Sequence, residues 1–482
     1  MRGRCFGAGA ALWLSLVSSS ALALFSVPVF DIATAGFDSS NWFQPDEAFH
    51  GDIGNRWDDA VHDMVVQADG RIAVTGYYTN ARGLAGIYLQ RLMPDGSRDT
   101  SFNTYGTLWI PNKQVALFVP LSIIQQTDGK LVITGYKRTP YGLKSLLMRF
   151  NPDGSFDNTF GKRGKRLLQL GWASVLSDIV QQPDGKLVAV GSALPGGLSV
   201  TTLVVARFLS DGKPDKTFGD KGRIFIASAS GDAAGYSLLL QDDGRIVVAG
   251  STEDGSTLSS LLVRLSPSGQ LDSSFGNGGG TLTSMSPYAD ETYKVIEQMD
   301  GKLLAVGYAS TSLNGVVENR DLAVARYTAD GQPDTGFGTG GVSVIGVDPL
   351  AVTNMGHDEA TDALQLPNGQ LLLGGVVKGG MGFMVLEADG QPAGGDASGA
   401  AHNAGFSGAV LANAIGLQPD GKVLLAGYRR QLDQHEGKYY NDSVVVRFHG
   451  GDVDGDGAPD VLDPYPLDSD NDGVNNTDEA LP

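Results

Sequence analysis

The sequence predicts an all-β protein, a seven-bladed β-propeller of four-stranded antiparallel blades, and three observations support this prediction. A block of about 58 residues recurs along the chain. The copies carry a hairpin of the form Q-x-D-G-[KR]-[LIV], which reads L-P-N-G-Q-L in the sixth, and the turn glycines are Gly70, Gly129, Gly185, Gly244, Gly301, Gly369 and Gly421. A second glycine follows each turn glycine, at Gly76, Gly135, Gly191, Gly250, Gly307, Gly375 and Gly427.

The third copy shows why the repeat is read as four strands. An apolar stretch leads into the turn at Gly185 and a short apolar, β-branched run leaves it, which is typical of a hairpin. A variable loop precedes a third run at 203–208, and a second Asp-Gly turn precedes a fourth at 223–226. These apolar runs contain too few residues to form typical helices, so we interpret them as strands. Because one such unit cannot bury its own apolar face, neighbouring copies must pack together.

The two ends of the repeat region predict how the ring closes. The last copy ends after its third strand, near Phe448, without a D-x-x-F-G element or a fourth strand. A related element occurs at 45–51, near the N-terminus. We therefore expect the N-terminal segment to complete the last blade and leave no free sheet edge. A solenoid is the alternative, although it would require capping repeats.

The repeat resembles the delta-60 family of β-propellers. The family pattern is a Q-x-D-G-K-[IL] hairpin, an [AV]-R-[FLY]-x-x-D-G turn and then [LP]-D-x-[ST]-F-G. It is matched at Gln182 to Leu187, Ala206 to Gly212 and Pro214 to Gly219, and again in most other copies over about residues 45–450. The resemblance implies a secreted or surface protein of bacterial type and no shared chemistry. The sixth copy departs, because Leu386-Glu387 replaces the Arg-aromatic pair and its fourth strand is uncertain.

Four polar or aromatic positions recur with the repeat and are interpreted as structural. The first is an arginine at Arg91, Arg149, Arg207, Arg264, Arg326 and Arg447, and the second is an aspartate eight residues later at Asp99, Asp157, Asp215, Asp272 and Asp334. We expect an ion pair within the blade, and a ring of charges around the channel is the alternative. The adjacent phenylalanines are expected to wedge between blades, and the glutamine before each Q-x-D-G turn to bond within its hairpin.

Catalytic motifs are scarce. The six histidines form no H-E-x-x-H pair, and the sequence contains neither a G-x-S-x-G elbow nor a phosphate-binding loop. The best acid–base candidate is His357-Asp358-Glu359, which is predicted to lie on a solvated connecting loop. The sequence therefore identifies no catalytic and no cofactor-binding residues in the propeller.

Composition and charge restrict the partners and the location. The formal net charge of −19 argues against nucleic acid as a binding partner.

Residues 1–35 are predicted to be a secretory signal cleaved after Ala23 or Ala35, and an uncleaved membrane anchor is the alternative. Later segments are not apolar enough to span a bilayer. The only cysteine, Cys5, lies within this signal, so no disulfide framework is expected. We expect a secreted, cell-surface or periplasmic protein whose propeller occupies residues 36–450.

The acidic tail at 451–482 is predicted to bind calcium. Oxygen ligands recur at positions 1, 3, 5, 7, 9 and 12 of two consecutive loops, with glycine at position 6. The proposed ligands are Asp452, Asp454, Asp456, Ala458, Asp460 and Asp463, then Asp468, Asp470, Asp472, Val474, Asn476 and Glu479, where Ala458 and Val474 contribute backbone carbonyls. The tail resembles thrombospondin type 3 repeats, which implies a structural role for the ion. A disordered acidic tail is the alternative.

These observations favour a non-catalytic binding or scaffold protein that contacts a glycan or a protein through its propeller. The alternative is a propeller enzyme of the lyase, hydrolase or dehydrogenase type with its site in the central channel. That alternative predicts that non-repeated polar residues converge at one mouth of the ring. A purely structural surface component is a third hypothesis, which predicts calcium-dependent self-association.

Overall fold

The computed structural model describes residues 58–448 except 81–84, 113–116, 197–198, 229–230, 255–256, 314–315, 348–356, 407–409 and 434–437. The predicted signal, the closing segment at 45–51 and the whole acidic tail lie outside the described residues. No helix in the described part of the chain is both long and apolar enough to cross a membrane.

The first four blades are four-stranded antiparallel sheets whose strands pair in chain order. Blade 1 contains β1 (Asp58–Val66), β2 (Ile72–Thr79), β3 (Ala85–Leu92) and β4 (Thr107–Pro111). Blade 2 contains β5 (Phe118–Gln125), β6 (Leu131–Thr139), β7 (Gly142–Phe150) and β8 (Lys165–Leu168). Blade 3 contains β9 (Ala173–Gln181), β10 (Leu187–Leu194), β11 (Thr202–Phe208) and β12 (Arg223–Ile226). Blade 4 contains β13 (Ala233–Leu240), β14 (Ile246–Asp254), β15 (Thr257–Leu265) and β16 (Gly280–Thr283).

The last three blades follow the same order. Blade 5 contains β17 (Asp290–Glu297), β18 (Leu303–Leu313), β19 (Val316–Tyr327) and β20 (Val342–Ile345). Blade 6 contains β21 (Glu359–Gln365), β22 (Leu371–Val377), β23 (Gly380–Leu386) and β24 (Ala401–Asn403). Blade 7 contains β25 (Val410–Leu417), β26 (Val423–Asp433) and β27 (Lys438–Phe448). The predicted seven-bladed propeller is confirmed.

The blades form a closed ring with one apolar core at each interface. The first strand of every blade contacts the first strands of both neighbours, so these strands surround the central channel. Seven buried clusters each combine side chains from two adjacent blades. One cluster joins Val61 of blade 1 to Leu424 of blade 7. Stacking of neighbours therefore buries the faces that a single repeat could not bury alone.

Hydrogen bonds also join the first and last blades. Ser443 N in β27 donates to Asp59 Oδ1 over 2.9 Å, and Asn441 N donates to Asp58 Oδ1 over 3.0 Å. Within the described residues blade 7 has three strands, and the segment expected to supply its fourth lies outside them. Closure by the N-terminal segment stays a prediction.

In each of blades 1 to 6, two turns lie on the same face of the ring, and the first turn of blade 7 lies there too. Because the strands alternate in direction, the Q-x-D-G turn and the turn between the third and fourth strands share a face, which we call the turn face. The opposite face, the loop face, carries the loops between second and third strands and the connectors between blades. Each Q-x-D-G turn glycine has a φ between 77° and 90°, so glycine suits these turns sterically.

The recurring arginine and aspartate form the expected ion pair. In blade 3, Arg207 Nε lies 2.9 Å from Asp215 Oδ2, with both side chains at least 91 % buried. The corresponding pairs in blades 1, 2, 4 and 5 measure 2.7–2.9 Å. Each arginine also reaches the next blade, as when Arg207 Nη1 donates to Pro267 O over 2.6 Å. The structural interpretation is confirmed, and the pair links neighbouring blades as well as the strands of one blade.

The recurring phenylalanine fills the space between this ion pair and the next blade. The Arg207 guanidinium lies 4.7 Å from the centre of the Phe218 ring, which is fully buried. A Cβ added to Gly269 in the next blade would lie 2.8 Å from that ring. The wedge prediction is therefore confirmed. We call the arginine, aspartate, phenylalanine and facing turn glycine together the latch.

The recurring glutamines are only partly explained by their hairpins. Their backbone groups close the turns, as in the bond from Gly185 N to Gln182 O. The Gln418 side chain instead crosses to blade 1, where its Nε2 donates to Pro94 O over 2.9 Å. Hydrogen bonding within the hairpin therefore accounts for the backbone of these residues and not for the Gln418 amide.

Blade 6 is complete but lacks the latch. Its fourth strand, β24, follows a short 3-10 turn at Ala393–Gly395 and the helix α1 (Ala397–Ala400). The register pairs Leu372 with Val385, where the other blades pair an apolar residue with the arginine. The assignment of Leu386-Glu387 to the Arg-aromatic position is therefore wrong by one residue. The correct pair is Val385-Leu386, and buried Val385 packs near Ala393 in place of an ion pair.

Candidate functional site

Every inner strand carries a β-bulge opposite the second glycine of its repeat. In blade 1 the bulge falls between Val61 and Asp63, and Val61 pairs with Gly76. A Cβ on Gly76 would lie 1.9 Å from Ala60 O, and the same clash occurs at 1.8–2.1 Å for the second glycine of all seven blades. The second glycine is therefore required because the bulged strand presses a carbonyl against it.

The residue that follows each bulge lies seven positions before the turn glycine and takes part in a ring that lines the channel. Its members are Asp63, Ser122, Asp178, Ser237, Lys294, Asp362 and Ala414. Unlike the glycines, these side chains differ from blade to blade. We call this set the channel ring.

The aspartates of the channel ring join neighbouring blades. Asp63 Oδ2 accepts a hydrogen bond of 2.7 Å from Ile123 N, and Asp362 Oδ2 accepts one of 3.0 Å from Ile415 N. Asp178 accepts bonds of 3.0 and 3.1 Å from the hydroxyls of Ser122 and Ser237. Most of these oxygens are therefore already used by the fold.

Lys294 is the cation of the channel ring. Its Nζ lies 3.1 Å from Asp362 Oδ1. The charge of Asp362 raises the pKa of Lys294 against the opposing effect of burial, with smaller contributions from Asp178 and Asp63. Burial raises the pKa of Asp63 to about 7, although Lys294 opposes this shift. No group of three His, Cys, Asp or Glu side chains among the described residues is arranged to hold a metal. We interpret the channel ring as a structural bridge.

A second set of polar residues lies nearer the loop face. Ten positions before the turn glycine, blades 5 and 6 have Glu291 and Glu359, whereas the other blades have Ala60, Val119, Val175, Ala234 and Leu411. Three tyrosines and an arginine accompany the two acids. We call this set the mouth cluster, and its members are Tyr236, Glu291, Tyr293, Tyr308, Arg320 and Glu359.

Glu291 is the centre of the mouth cluster. Tyr293 Oη donates to Glu291 Oε2 over 2.9 Å, and Tyr236 Oη donates to Oε1 over 3.4 Å. Burial raises the pKa of Glu291, while the hydrogen bond from Tyr293 and the charge of Arg320 act in the opposite direction. This carboxyl is therefore one that can hold a proton above its ordinary range.

Arg320 holds the second acid of the cluster. Its Nη1 lies 2.9 Å from Glu359 Oε2, and its guanidinium lies 4.1 Å from the centre of the Tyr308 ring. The side chains of Arg320 and Glu359 keep 27 % and 18 % of their surface exposed. The ring centres of Tyr293 and Tyr308 are 5.9 Å apart. Tyr236 and Tyr308 are buried, so solvent reaches the cluster mainly at the charged groups of Arg320 and Glu359.

The His357-Asp358-Glu359 sequence is only partly the solvated loop that was expected. His357 is exposed, but Asp358 is buried and its Oδ2 accepts a bond of 3.4 Å from Val347 N. Burial raises the pKa of Asp358 to about 6. Glu359 begins the inner strand of blade 6 and belongs to the mouth cluster. The solvated-loop interpretation is therefore wrong for Asp358 and Glu359.

The other histidines give no catalytic pair in the described part of the chain. Burial lowers the pKa of both His62 and His402 to about 4, so both are neutral at neutral pH. His62 lies at the bulge of blade 1, with its ring centre 5.6 Å from that of Tyr77. His50, His435 and His449 lie outside the described residues, as do all the proposed calcium ligands from Asp452 to Glu479.

A separate groove of about 920 Å³ is lined by residues of blades 4, 5 and 6. Its lining includes the glycine-rich turn at 338–341 and apolar residues such as Val344. It contains no member of the mouth cluster. A binding pocket needs a few convergent polar groups, and the mouth cluster meets this requirement better.

A comparison with known protein families also identifies a repeated β-propeller unit in this chain. Five segments match the family described as "Domain of unknown function (DUF5122) beta-propeller", at residues 67–102, 126–160, 182–218, 241–275 and 298–337. The chain is a repeat β-propeller. The matched segments run from the first hairpin turn of a blade to its latch phenylalanine, so they omit the inner strands with Glu291 and Glu359, whereas Tyr308 and Arg320 fall within the fifth segment.

Solved structures resemble this propeller at low sequence identity. The β-propeller domain of the Trilobed protease from Pyrococcus furiosus is 10% identical, covering 82% of this chain and 94% of its own, with a TM-score of 0.41. Polysaccharide lyase Uly1 is 10% identical over 80% and 88% of the two chains, with a TM-score of 0.45. A protein of unknown function from Dyadobacter fermentans is 14% identical over 85% and 100%, with a TM-score of 0.38. These similarities say nothing about activity. No curated protein matches the sequence.

Proposed function

We propose that this propeller binds a saccharide at the loop-face mouth of its central channel, as a non-catalytic binding protein. The observation that carries the proposal is the mouth cluster, in which residues of blades 4, 5 and 6 converge. The acids and Arg320 have no counterpart in the other blades, whereas the position of Tyr308 is also tyrosine in blades 1, 2 and 7. Because the scaffold does not require them, a ligand is the simplest reason for their presence together.

The chemistry of the cluster suits a sugar. A sugar ring has an apolar face of C–H groups and a rim of hydroxyls, and the partly exposed Tyr293 has both an aromatic face and a hydroxyl. Arg320 has five N–H donors, and the glutamates are acceptors. Glu291 has a raised pKa and Glu359 is paired with Arg320, so the cluster presents little net charge. It therefore favours a ligand rich in hydroxyl groups over a strongly charged one.

The test is a binding measurement with a conservative substitution in the cluster. Glu291→Gln keeps the shape of the side chain but changes its hydrogen bonds, and we expect a saccharide bound by the wild type to lose at least about tenfold in affinity. Glu387→Gln is the matched control, because Glu387 lies on the turn face of blade 6 and bonds to Gln370. Equal affinity for the wild type and Glu291→Gln would refute the location.

An enzyme with its site in the channel is the second candidate, and Glu291 is the observation that favours it. A carboxyl that holds its proton and lies near a second carboxylate is the arrangement of a glycosidase acid and its partner. In this candidate Glu291 donates a proton to the leaving oxygen, and Glu359 stabilises charge or activates water. Release of new reducing ends by the wild type and not by Glu291→Gln would support it; saturable binding without products favours the binding protein.

We propose from sequence alone that the protein is exported and that its tail binds calcium. The signal at 1–35 supports export, and the carboxylate spacing from Asp452 to Glu479 supports two calcium loops. In this proposal calcium neutralises the clustered carboxylates and orders the tail. Asp456→Ala should remove one bound calcium in equilibrium dialysis and leave the unfolding of the propeller unchanged. An unchanged calcium stoichiometry would refute the ligand assignment.

A further inference from the structure

The outer strands of blades 2 and 3 carry positive charge that most other blades lack. Of the ten residues that follow the latch phenylalanine, four are lysine or arginine in blade 2 and two in blade 3. The same ten positions contain no lysine or arginine in blades 1, 4 and 5. In a chain with a formal net charge of −19, this concentration of cations on two neighbouring blades is a feature that the repeat does not explain.

Two of these cations point into the same gap between blades 2 and 3. Leu168 of β8 belongs to the apolar core shared by these blades, so Arg166, two residues earlier on the same strand, also faces blade 3. Phe225 of β12 packs against the same core, so Arg223 faces blade 2. The two arginines therefore approach the gap from its two sides.

A cleft of about 330 Å³ occupies this gap. Its lining among the described residues includes Lys162, Arg166 and Arg223 and no acidic residue. The turns and the connector that surround it, at 157–172 and 209–226, are all described and leave it open. Its volume is at the lower end of the range of about 300–1,000 Å³ that is typical of small-molecule sites. We call it the outer cleft.

The two arginines of the outer cleft differ from the latch arginines in their partners. In the latch, Arg207 Nε lies 2.9 Å from Asp215 Oδ2. Arg166 and Arg223 form no ion pair and no side-chain hydrogen bond with any described residue, and Arg223 Nε is buried without an acceptor. The Arg223 guanidinium instead lies 5.3 Å from the centre of the Phe225 ring. A guanidinium has five N–H donors, so both arginines keep donors available for a ligand.

The position of Arg166 serves the contact between blades elsewhere in the ring. Six residues after the latch phenylalanine, blades 4 and 5 have Thr281 and Ser343, whose hydroxyls donate to Gly331 O over 2.6 Å and to Gly390 O over 2.7 Å. Each of these bonds reaches the next blade. Arg166 makes no such bond to a described residue, so the packing of the blades does not account for its charge.

The nearby acids do not neutralise the outer cleft. Asp211, on the second turn of blade 3, already has a cation, because its Oδ2 lies 2.7 Å from Lys213 Nζ. The hydrogen bond from Lys213 lowers the pKa of Asp211, and the charge of Arg166 makes a smaller contribution. Asp220 occupies in blade 3 the position of Lys162 in blade 2, so it belongs to the next gap. The cleft therefore keeps an excess of positive charge.

We propose that the outer cleft binds a phosphate group, either as the free ion or as the monoester of a small molecule such as a sugar. A phosphate monoester carries a charge of about −1.5 to −2 at neutral pH and three acceptor oxygens, which matches three cations around one space. The planar donor fork of arginine binds phosphate through two parallel hydrogen bonds, and lysine adds a point charge. A carboxylate has one charge and two oxygens, so it matches the three cations less well.

This inference goes beyond the proposed saccharide binding and does not depend on it. The mouth cluster belongs to blades 4, 5 and 6, whereas the outer cleft lies between the fourth strands of blades 2 and 3. Glu291→Gln should therefore bind phosphate as the wild type does. Loss of phosphate binding in that variant would overturn the location in the outer cleft.

The experiment is isothermal titration calorimetry of the full chain in calcium-free buffer with inorganic phosphate, glucose 6-phosphate and glucuronate. We expect the tighter of the two phosphate ligands to bind at least about tenfold more tightly than glucuronate, which carries a carboxylate on the same sugar ring. Tighter binding of glucose 6-phosphate would identify an ester as the source of the phosphate, and tighter binding of inorganic phosphate would identify the free ion. Absence of binding by both up to about 10 mM would overturn the proposal.

Substitution of the facing arginines tests the location. We expect Arg166→Gln and Arg223→Gln each to weaken phosphate binding at least about tenfold. Arg163→Gln is the matched control, because Arg163 lies beside Lys162 on the same turn but is not among the residues that line the cleft. The control should keep its affinity within about twofold, since salt and water screen an exposed charge. A control as weak as Arg166→Gln would overturn the cleft, because binding would then follow total charge.

Thermal unfolding of the same variants separates binding from folding. Since no described residue bonds to either guanidinium, we expect the melting temperatures of Arg166→Gln and Arg223→Gln to be unchanged or higher. A marked fall in both would overturn the proposal by showing that the arginines support the fold. Arg166→Lys keeps the charge and should bind phosphate more tightly than Arg166→Gln does. The reverse order would also contradict the proposal.

Discussion

The turn face and the loop-face mouth of this propeller differ in how closely their side chains follow the repeat. On the turn face, blades 1 to 5 repeat the same latch, with ion pairs of 2.7–2.9 Å. At the mouth, the side chains around the bulge vary along the ring, with tyrosine shared by blades 4 and 5 and glutamate by blades 5 and 6, and the polar ones converge on these three blades. The comparison teaches that repeated residues support the ring, and that candidates for function are found where the repeat keeps its backbone but varies its side chains.

The comparison predicts that substitutions on the turn face reduce stability, and the largest effect should come from the latch glycine. In Gly212 a Cβ would lie 2.6 Å from the Phe160 ring, and φ is 80°. We expect Gly212→Ala to lower the free energy of unfolding by about 3–5 kcal/mol, from backbone strain and overpacking together. Chemical denaturation measures the change.

Gly301→Ala is the matched control for the latch glycine. Gly301 has the same φ of 80°, but a Cβ there would meet nothing within 4 Å. The backbone strain alone should cost about 1–2 kcal/mol. Equal losses in the two variants would show that the contact with Phe160 contributes nothing to blade packing.

The ion pair of the latch should give the next largest effect. Arg207→Met leaves the buried Asp215 carboxylate without its partner, and we expect a loss of about 3 kcal/mol by chemical denaturation. Blade 6 shows that an apolar pair can replace the latch, with Val385 near Ala393. The double variant Arg207→Val with Asp215→Ala should therefore be less destabilised than Arg207→Met. A double variant that is less stable than the single one would contradict this account.

The seam between blades 1 and 7 should show a dependence on pH. Burial raises the pKa of Asp59 to about 7, so the folded state retains a proton that the unfolded state has released. The stability contributed by this proton is present at low pH and is lost as pH rises from about 4 to about 7. Asp59→Asn keeps an acceptor for Ser443 N and cannot ionise.

We expect Asp59→Asn to gain about 1–2 kcal/mol relative to the wild type between about pH 4.5 and about pH 7.5. Thermal unfolding of both proteins across this range measures the difference. Because His62, Asp63 and other groups titrate equally in both proteins, the difference isolates Asp59. A difference that does not change with pH would show that Asp59 is ionised throughout.

The smallest effect should come from an exposed ion pair on the turn face. Lys213 Nζ lies 2.7 Å from Asp211 Oδ2, but the Lys213 side chain is 65 % exposed. We expect Lys213→Ala to change the free energy of unfolding by less than about 0.5 kcal/mol, because water screens such pairs. A loss comparable to that of Arg207→Met would show that position on the turn face, rather than burial, decides the effect.

The sequence predicts the scaffold well because the scaffold repeats. Turn glycines such as Gly185 identify the hairpins, and seven copies predict seven blades. The sixth blade was misaligned because Val385 and Ala393 replace the charged pair that marks the other copies. Its register is set by the pairing of Leu372 with Val385, which no local motif shows.

The mouth cluster was not predicted, although a signal for it exists. The second glycine of each repeat marks a bulge, and counting ten residues back from Gly301 and Gly369 gives Glu291 and Glu359. What the sequence alone lacks is the register that places these residues beside Arg320, which lies on a different strand. Convergence from separate blades depends on how neighbouring blades pack, and only the folded chain shows it.

The central claim is that the mouth serves binding and the turn face serves the fold, and Glu291→Gln tests it most directly. The measurement is saccharide affinity and thermal unfolding on the same preparation, beside the wild type. The account predicts a loss of binding with an unchanged or higher melting temperature, since burial disfavours the charged form of Glu291. Unchanged affinity with a markedly lower melting temperature would contradict the account, because Glu291 would then be part of the scaffold.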